Sequence, residues 1–148
     1  MTATMTAVCC RPPGRYRSGV TDAPATDAPH LTPPDPARLR ALVAVALDED
    51  LGPAPGRDVT TQATIPADRV GVGHLVARAD GVVAGLVVVG EVLEQVADRL
   101  GTARAAVELR ARDGQPVRRG DVLAVLTGPV QVLLVAERTA LNLVSRAS

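Results

Sequence analysis

Residues 130–148 form the most apolar segment of the chain, and this segment restricts the possible folds more than any other. Gly128 and Pro129 come directly before it, which is typical of a helix start. The apolar residues on it are Val132, Leu133, Val135, Ala136, Ala140, Leu141, Leu143 and Val144. A helix that is apolar on nearly every side is stable only when other elements cover it. We therefore predict a long helix, ended by the chain terminus, that leaves almost no face in water and packs at a domain or subunit interface.

The segments before this helix alternate between helical and strand periodicity. Helices are predicted over 36–50 and 86–100, and strands over 72–79, 82–84, 105–111 and 117–126. The strand segment at 117–126 is expected to be a strand pair around a turn at Arg119 and Gly120. Asp58 offers a side chain that can cap a short turn after the Gly- and Pro-rich loop. The expected fold class is α+β.

Residues 1–35 are rich in Pro, Thr, Ala and Asp, and they include a near-repeat at 21–24 and 26–29. Such a segment buries too little apolar surface to offset the entropy of ordering, so we predict a disordered tail. Its two cysteines, Cys9 and Cys10, are adjacent and cannot form a disulfide that crosslinks a domain, which indicates a reducing, cytoplasmic setting. The predicted organisation is a tail over 1–35, a domain over 36–130, and a helix over 131–148 that leads into a following domain.

Composition excludes several classes of protein. The formal net charge is zero and the chain contains no lysine, so it has no basic footprint for nucleic acid or an anionic membrane. Without lysine there is also no Schiff base and no attachment site for biotin or lipoate. Aromatic residues make up 1% of the chain, so the core must consist of Val, Leu, Ile and Ala. No apolar run reaches the length of a membrane span, and we expect neither a membrane nor nucleic acid as a partner.

Signals of catalysis are sparse. His30 lies in the tail and His74 stands alone on a predicted strand, so neither is expected to bind a metal or act as a general base. The three acidic residues 48–50 end the first predicted helix, where carboxylates oppose the helix dipole. We interpret them as a solvated corner of the domain.

Glu137 and Arg138 interrupt the apolar terminal helix. Adjacent residues point to different sides of a helix, so these two cannot neutralise each other there. A buried guanidinium needs an anion, and its fork matches a carboxylate or a phosphate. Spacing leaves two readings of Arg138 equally open: a salt bridge to an acidic residue elsewhere in the fold or in a partner subunit, and a contact with an anionic ligand.

Five motifs, in order and in register, resemble one known family. They are residues 46–52 (Ala-Leu-Asp-Glu-Asp-Leu-Gly), 58–61 (Asp-Val-Thr-Thr) with Ile65 and Pro66, 81–85 (Gly-Val-Val-Ala-Gly), 113–121 (Asp-Gly to Gly-Asp) and 137–143 (Glu-Arg-Thr-Ala-Leu-Asn-Leu). From about residue 36 to 148 the chain resembles the N-terminal portion of the quinolinate phosphoribosyltransferases. One departure is the loop before the second motif, which is longer than is usual in the family and places Arg57 before Asp58.

The resemblance implies a fold and an activity. The fold is the α/β sandwich N-terminal domain of the type II phosphoribosyltransferases, followed in the family by an open α/β barrel whose start coincides with the end of this chain. The reaction joins quinolinate to phosphoribosyl pyrophosphate with Mg²⁺, and it yields nicotinate mononucleotide, pyrophosphate and CO₂ in NAD biosynthesis. The barrel would supply the catalytic residues and the metal ligands, so the resemblance implies no catalytic residue here and no activity for this fragment alone.

The resemblance also implies a role for one residue. Family members are homodimers in which the arginine of the last motif reaches the substrate carboxylates in the neighbouring subunit's site, and that position is Arg138 here. The same comparison leaves Asp58, Thr60 and Thr61 with structural roles. Two alternatives remain open: a paralogous phosphoribosyltransferase associated with molybdenum transport, and a biotinyl- or lipoyl-like binding module suggested by residues 114–123, which the missing lysine opposes.

Overall fold

A computed structural model describes residues 34–56 and 58–148 in full and the backbone of residues 3–9. The helices are α1 (Pro36–Leu51), α2 (Val59–Thr64), α3 (Val87–Leu100) and α4 (Val130–Ala147). The strands are β1 (Ala3–Cys9), β2 (Val70–Ala77), β3 (Gly81–Val82), β4 (Ala106–Leu109), β5 (Pro116–Val117) and β6 (Val122–Pro129). The predicted α+β class is confirmed, and the three long helices lie within one or two residues of their predicted bounds.

Helix α1 begins where the sequence predicts. The carboxylate of Asp35 accepts a hydrogen bond from the backbone N of Arg38 at 2.9 Å, and Pro36 occupies the first turn. This side chain satisfies one of the amide groups that a helix start leaves without a partner. The buried residues Leu39, Val43 and Leu47 follow at intervals of four. The helix therefore turns a single narrow apolar stripe toward the rest of the domain.

Four antiparallel strands form the main sheet in the order β1, β2, β6, β4. Strand β2 is buried at every second residue from Gly71 to Ala77 and half-buried at those between, as its alternating sequence predicts. Strand β6 lies between β2 and β4 and pairs Leu75 with Ala124 on one side and Leu109 with Ala124 on the other. Strand β6 is therefore central, and β1 and β4 form the edges.

The predicted strand pair over 117–126 is wrong. Strand β5 pairs with β3 in a separate two-stranded sheet, with Gly81 opposite Val117, whereas β6 joins the main sheet. Backbone hydrogen bonds from Val83 N to Gln115 O and from Gly114 N to Val83 O extend the contact between β3 and the β5 segment. A strand of two residues carries too little pattern to specify its partner, which here lies more than thirty residues away in the chain.

The expectation of disorder over 1–35 does not hold for Ala3–Cys9. This segment is strand β1, antiparallel to β2, with Ala3 opposite Ala77 and Thr6 opposite His74. The β2 edge offers unpaired backbone groups that an extended segment can satisfy, and the Thr and Val residues of 3–9 favour strand geometry. Residues 1–2 and 10–33, which include Cys10 and His30, lie outside the described part of the chain.

Helices α3 and α4 pack against each other and on the sheet, and α1 packs on both. The core of the described residues is aliphatic, as predicted, and it draws on all three long helices. Its largest fully buried side chains are Leu47, Leu75, Leu86, Leu93, Leu123, Leu133, Val43, Val83, Val89, Val92, Val96 and Val132. Helix α4 is part of this core through Leu133 and Val132, and the boundary predicted at residues 130 and 131 stays a prediction. Among the described residues no helix is long and apolar enough to span a membrane.

Helix α4 follows β6 without a loop. Pro129 ends the strand opposite Val70, and the backbone N of Val130, the next residue, donates to the carbonyl of Arg69 at 2.8 Å. A side chain at Gly128 would place its Cβ 2.6 Å from the Cα of Ala105, so only glycine fits at this point of the strand. The start of α4 is therefore fixed to the sheet by backbone contacts.

The prediction that α4 leaves almost no face in water is wrong in one respect. Arg138 and Asn142 are exposed, and Leu134 and Leu141 beside them are only partly covered. Arg138 lies four residues after Leu134, three before Leu141 and four before Asn142, so these residues form one continuous strip along the helix. The opposite side of α4, with Val132, Leu133, Val144 and their neighbours, is buried.

Candidate functional site

Arg138 lies on the exposed strip of α4, near the C-terminal end of α1. Its side chain is 80% exposed, and its Nε atom is 3.3 Å from Oδ1 of Asp50 in the same chain. The premise that this guanidinium is buried in the apolar helix is therefore wrong. Of the two readings left open by the sequence, the structure contains the ion pair within the fold. Neither Nη atom of Arg138 donates a hydrogen bond to a described residue.

Asp50, the partner of Arg138, is held from a second direction. The hydroxyl of Thr139 donates to its Oδ2 at 2.5 Å, and the side chain of Asp50 is only 17% exposed. Thr139 itself is buried. The interpretation of residues 48–50 as a solvated corner is therefore wrong for Asp50, whose two carboxylate oxygens meet two consecutive residues of α4.

Asp58 begins the short helix α2 on the other side of Arg138. Its Oδ1 accepts from the backbone N of Thr61 at 2.9 Å and its Oδ2 from the hydroxyl of the same residue at 2.6 Å. The hydroxyl of Thr64 donates to the carbonyl of Thr60 at 2.8 Å. The predicted cap is confirmed, and the Asp58 carboxylate is occupied within its own helix.

A cleft open to solvent lies between the end of α1, the start of α2 and α4. Its lining residues are Asp50, Leu51, Asp58, Val59, Thr60, Leu134, Val135 and Arg138. Arg138 also borders a shallower depression on the outer side of α4, with Leu134, Glu137, Leu141 and Asn142. Arg138 is the sole cation among these lining residues, which also include the carboxylates of Asp50, Asp58 and Glu137. Within this surface only the Arg138 guanidinium attracts an anion, and Leu134 and Leu141 beside it offer apolar contact to a flat ring.

A second arginine near the end of α1 was not singled out in the sequence. The guanidinium of Arg99 on α3 contacts Oδ1 of Asp48 at 2.6 Å and donates to the carbonyls of Ala44 and Gly52, each at 3.3 Å. Its side chain is 9% exposed. The signal that could have revealed it is the cluster of carboxylates at a helix C-terminus, which requires a cation from another element.

The described residues contain no group of three or more His, Cys, Asp or Glu side chains that could hold a metal ion. His74 lies half-buried on β2, paired across the ladder with Val125.

The fold defines the class of protein first. The NadC protein of Streptococcus pyogenes matches the structure with a TM-score of 0.64 and 28% sequence identity, over 77% of this chain and 38% of that one. The described part of the chain thus has the fold of the N-terminal α+β domain of a phosphoribosyltransferase. Residues 58–148, more than half of the chain, match the family model of the quinolinate phosphoribosyl transferase N-terminal domain. The chain belongs to the quinolinate phosphoribosyltransferase family, and the resemblance seen in the sequence is confirmed.

Curated relatives agree with this assignment. The nicotinate-nucleotide pyrophosphorylase [carboxylating] of Mycobacterium leprae is 41% identical over 109 residues, which make up 74% of this chain and 37% of the relative. The chloroplastic protein of that name from Arabidopsis thaliana is 36% identical over 110 residues, or 74% of this chain and 30% of the relative. The chain thus spans about a third of the length of the relatives that it matches.

Proposed function

We propose that the protein containing this domain is a quinolinate phosphoribosyltransferase that makes nicotinate mononucleotide from quinolinate and phosphoribosyl pyrophosphate, with release of pyrophosphate and CO₂. The support is the family membership of the domain, the five motifs in register, and the names of the relatives. We further propose that the residues of the matched domain bind and orient substrate. The catalytic groups and the Mg²⁺ ligands would lie in the part of the relatives' length that this chain does not cover, so we propose that the fragment alone is inactive. We also propose that the protein works in the cytoplasm.

The observation that carries this proposal is the free end of the Arg138 guanidinium. The Asp50 contact is at Nε, and the four N–H groups of the two Nη atoms make no hydrogen bond with the described residues, so they are available to a ligand. Two parallel N–H groups on a planar fork match the two oxygens of a carboxylate. Quinolinate carries two carboxylates on an apolar ring, and the partly covered Leu134 and Leu141 lie beside Arg138 along α4. The chemistry of the exposed strip therefore suits a pyridine dicarboxylate.

The exposure of Arg138 also supports a site shared between subunits. With 80% of its side chain in solvent and the described acidic neighbour used only at Nε, its ligand must approach from outside this domain. We propose that the protein is a homodimer in which Arg138 of one subunit contacts the substrate held by the other. In this arrangement Arg138 neutralises one carboxylate while the pyridine nitrogen attacks the ribosyl carbon, and the pyridinium so formed stabilises the negative charge left by decarboxylation.

The test is Arg138→Ala in the complete protein, with formation of nicotinate mononucleotide as the readout. Loss of a bidentate charged contact should lower kcat/KM for quinolinate about 100-fold. The matched control is Arg146→Ala, which removes an exposed arginine of the same helix that lines neither the cleft nor the depression. Unchanged kinetics of Arg138→Ala would overturn the role of this residue.

The wild-type protein tests the reaction itself. Formation of nicotinate mononucleotide from quinolinate is the expected result, and transfer of the phosphoribosyl group only to a different acid would favour the paralogous enzyme.

The shared site is tested by light scattering together with dilution of the enzyme during the assay. We expect a mass of two subunits and a loss of activity at dilutions that dissociate them, and a fully active monomer would contradict the shared site.

A further inference from the structure

We propose that Asp50 is a positioning residue that orients the guanidinium of Arg138 for its anionic ligand. This inference rests on the proposed function, because it assigns a second residue to the same substrate contact. The Asp50 carboxylate pairs with Nε of Arg138, and this contact directs the two Nη atoms away from the domain, toward the substrate carboxylate.

The first evidence is the choice of atom. Asp50 Oδ1 lies 3.3 Å from Nε, and no other ion pair or hydrogen bond of Arg138 occurs among the described residues. A carboxylate that served only to neutralise Arg138 could use two nitrogens of the fork at once, which is the favoured geometry for such pairs. Contact at Nε, with no hydrogen bond from Nη1 or Nη2 to a described residue, leaves the outer edge of the fork open for a second carboxylate.

The second evidence is that Asp50 is itself fixed. Thr139 donates to Oδ2 at 2.5 Å, and both side chains are largely shielded from water, with Asp50 17% and Thr139 2% exposed. Because Thr139 is the neighbour of Arg138 on α4, the carboxylate bridges two consecutive residues of this helix. One oxygen accepts the hydrogen bond from the hydroxyl, and the other forms the ion pair with Nε.

The third evidence is that stability alone does not explain this arrangement. Asp50 lies in the last turn of α1, where a carboxylate opposes the helix dipole, and no basic residue of α1 lies in that turn. Its partner Arg138 is 80% exposed, and ion pairs with a guanidinium in solvent contribute little to folding. A long, mobile arginine loses conformational freedom when it binds a ligand, so holding it at Nε beforehand favours binding.

The experiment compares Asp50→Asn with Glu49→Gln in the complete protein. Asparagine keeps the shape of the side chain and removes the charge that holds Nε. We expect the KM for quinolinate to rise about tenfold, with kcat within about twofold and the KM for phosphoribosyl pyrophosphate unchanged. Glu49 is the adjacent, exposed carboxylate and makes no hydrogen bond or ion pair with the described residues, so Glu49→Gln should leave all three constants unchanged.

Two further variants separate positioning from a structural role. Thr139→Val, which has nearly the same shape, frees the carboxylate and should raise the same KM about threefold. Asp50→Glu restores the charge and should recover part of the affinity lost in Asp50→Asn. If Asp50→Asn does not fold, as judged by circular dichroism, Thr139→Val decides the question. Equal effects on both substrates, or no rescue by glutamate, would overturn the positioning role.

The outcomes also distinguish this inference from the proposed function. If Arg138→Ala raises the KM for quinolinate and Asp50→Asn does not, the substrate contact stands and the positioning role fails. If neither variant changes the KM for quinolinate, the proposed substrate contact of Arg138 is wrong, and the positioning role of Asp50 is wrong with it. Asp50→Asn should add nothing in an Arg138→Ala background, because its effect acts through that guanidinium.

Discussion

The C-terminal end of α1 carries two pairs of aspartate and arginine that use the same chemistry in opposite ways. Arg99 is 9% exposed and shares its donors among Asp48 and two backbone carbonyls. Arg138 is 80% exposed, and among the described residues its ion pair is with Asp50, at Nε. The first guanidinium joins α3 to the end of α1, and the second lies mostly in solvent, where we propose that it contacts a ligand. Burial and the number of acceptors, rather than the pairing itself, distinguish the two arginines.

Among the variants that test this difference between Arg99 and Arg138, we expect Arg99→Ala to have the largest effect on stability. The change removes a nearly buried side chain together with the hydrogen bonds that it donates to the carbonyls of Ala44 and Gly52. We expect the free energy of unfolding to fall by about 3 kcal/mol. Urea unfolding of the 148-residue chain, followed by far-UV circular dichroism, measures it. A loss below about 1 kcal/mol would remove the distinction between the two arginines.

Arg99→Lys should cost about 1.5 kcal/mol in the same measurement. Lysine keeps the charge and can still reach Asp48, but one ammonium cannot meet three acceptors arranged for a planar fork. A lysine variant as stable as the wild type would show that charge alone joins the two helices.

Asp48→Asn should lower the free energy of unfolding by about 1 kcal/mol. Asp48 is itself nearly half exposed, and Arg99 retains both carbonyl acceptors after the change, so the cost is smaller than that of removing Arg99. The measurement is the urea midpoint, and Glu49→Gln serves as the control. An effect larger than that of Arg99→Ala would contradict the assignment of the carbonyl contacts.

Arg138→Ala should change the free energy of unfolding by less than about 0.5 kcal/mol, the smallest effect of the series. Its guanidinium is mostly in solvent, and Asp50 keeps the hydrogen bond from Thr139. The same urea titration measures it. A loss above about 1 kcal/mol would mean that Arg138 supports the fold as Arg99 does.

Local pattern was sufficient for the elements that are long and have one apolar face. The capped start of α1 at Asp35, the alternation of β2 and the apolar run of α4 each specify an element from neighbouring residues alone. Pairing was not predictable in the same way. The two residues of β5 join β3 through contacts between distant parts of the chain, and the short segment 3–9 gains its structure from the free edge of β2.

The candidate site was predictable in part. The Glu-Arg-Thr motif identified Arg138, and the acidic residues at the end of α1 were visible, but nothing in the sequence places Asp50 beside Arg138, 88 positions further along the chain. The exposure of Arg138 was predicted wrongly for the same reason. The side of α4 that is buried depends on how α3 and the sheet pack against it. The same holds for Arg99, whose acceptors lie 47 to 55 residues earlier.

Because β6 continues directly into α4, the number of residues at Gly128 and Pro129 determines how α4 is rotated relative to the sheet. The strand is fixed by its pairing with β2 and by the close approach of Gly128 to Ala105, and no flexible residue separates it from the helix. Inserting or deleting one residue at this joint would rotate the helix by about 100° relative to the sheet. Arg138 would then leave the cleft while every residue of its motif remained, so the count of residues at the joint encodes the direction in which the arginine points.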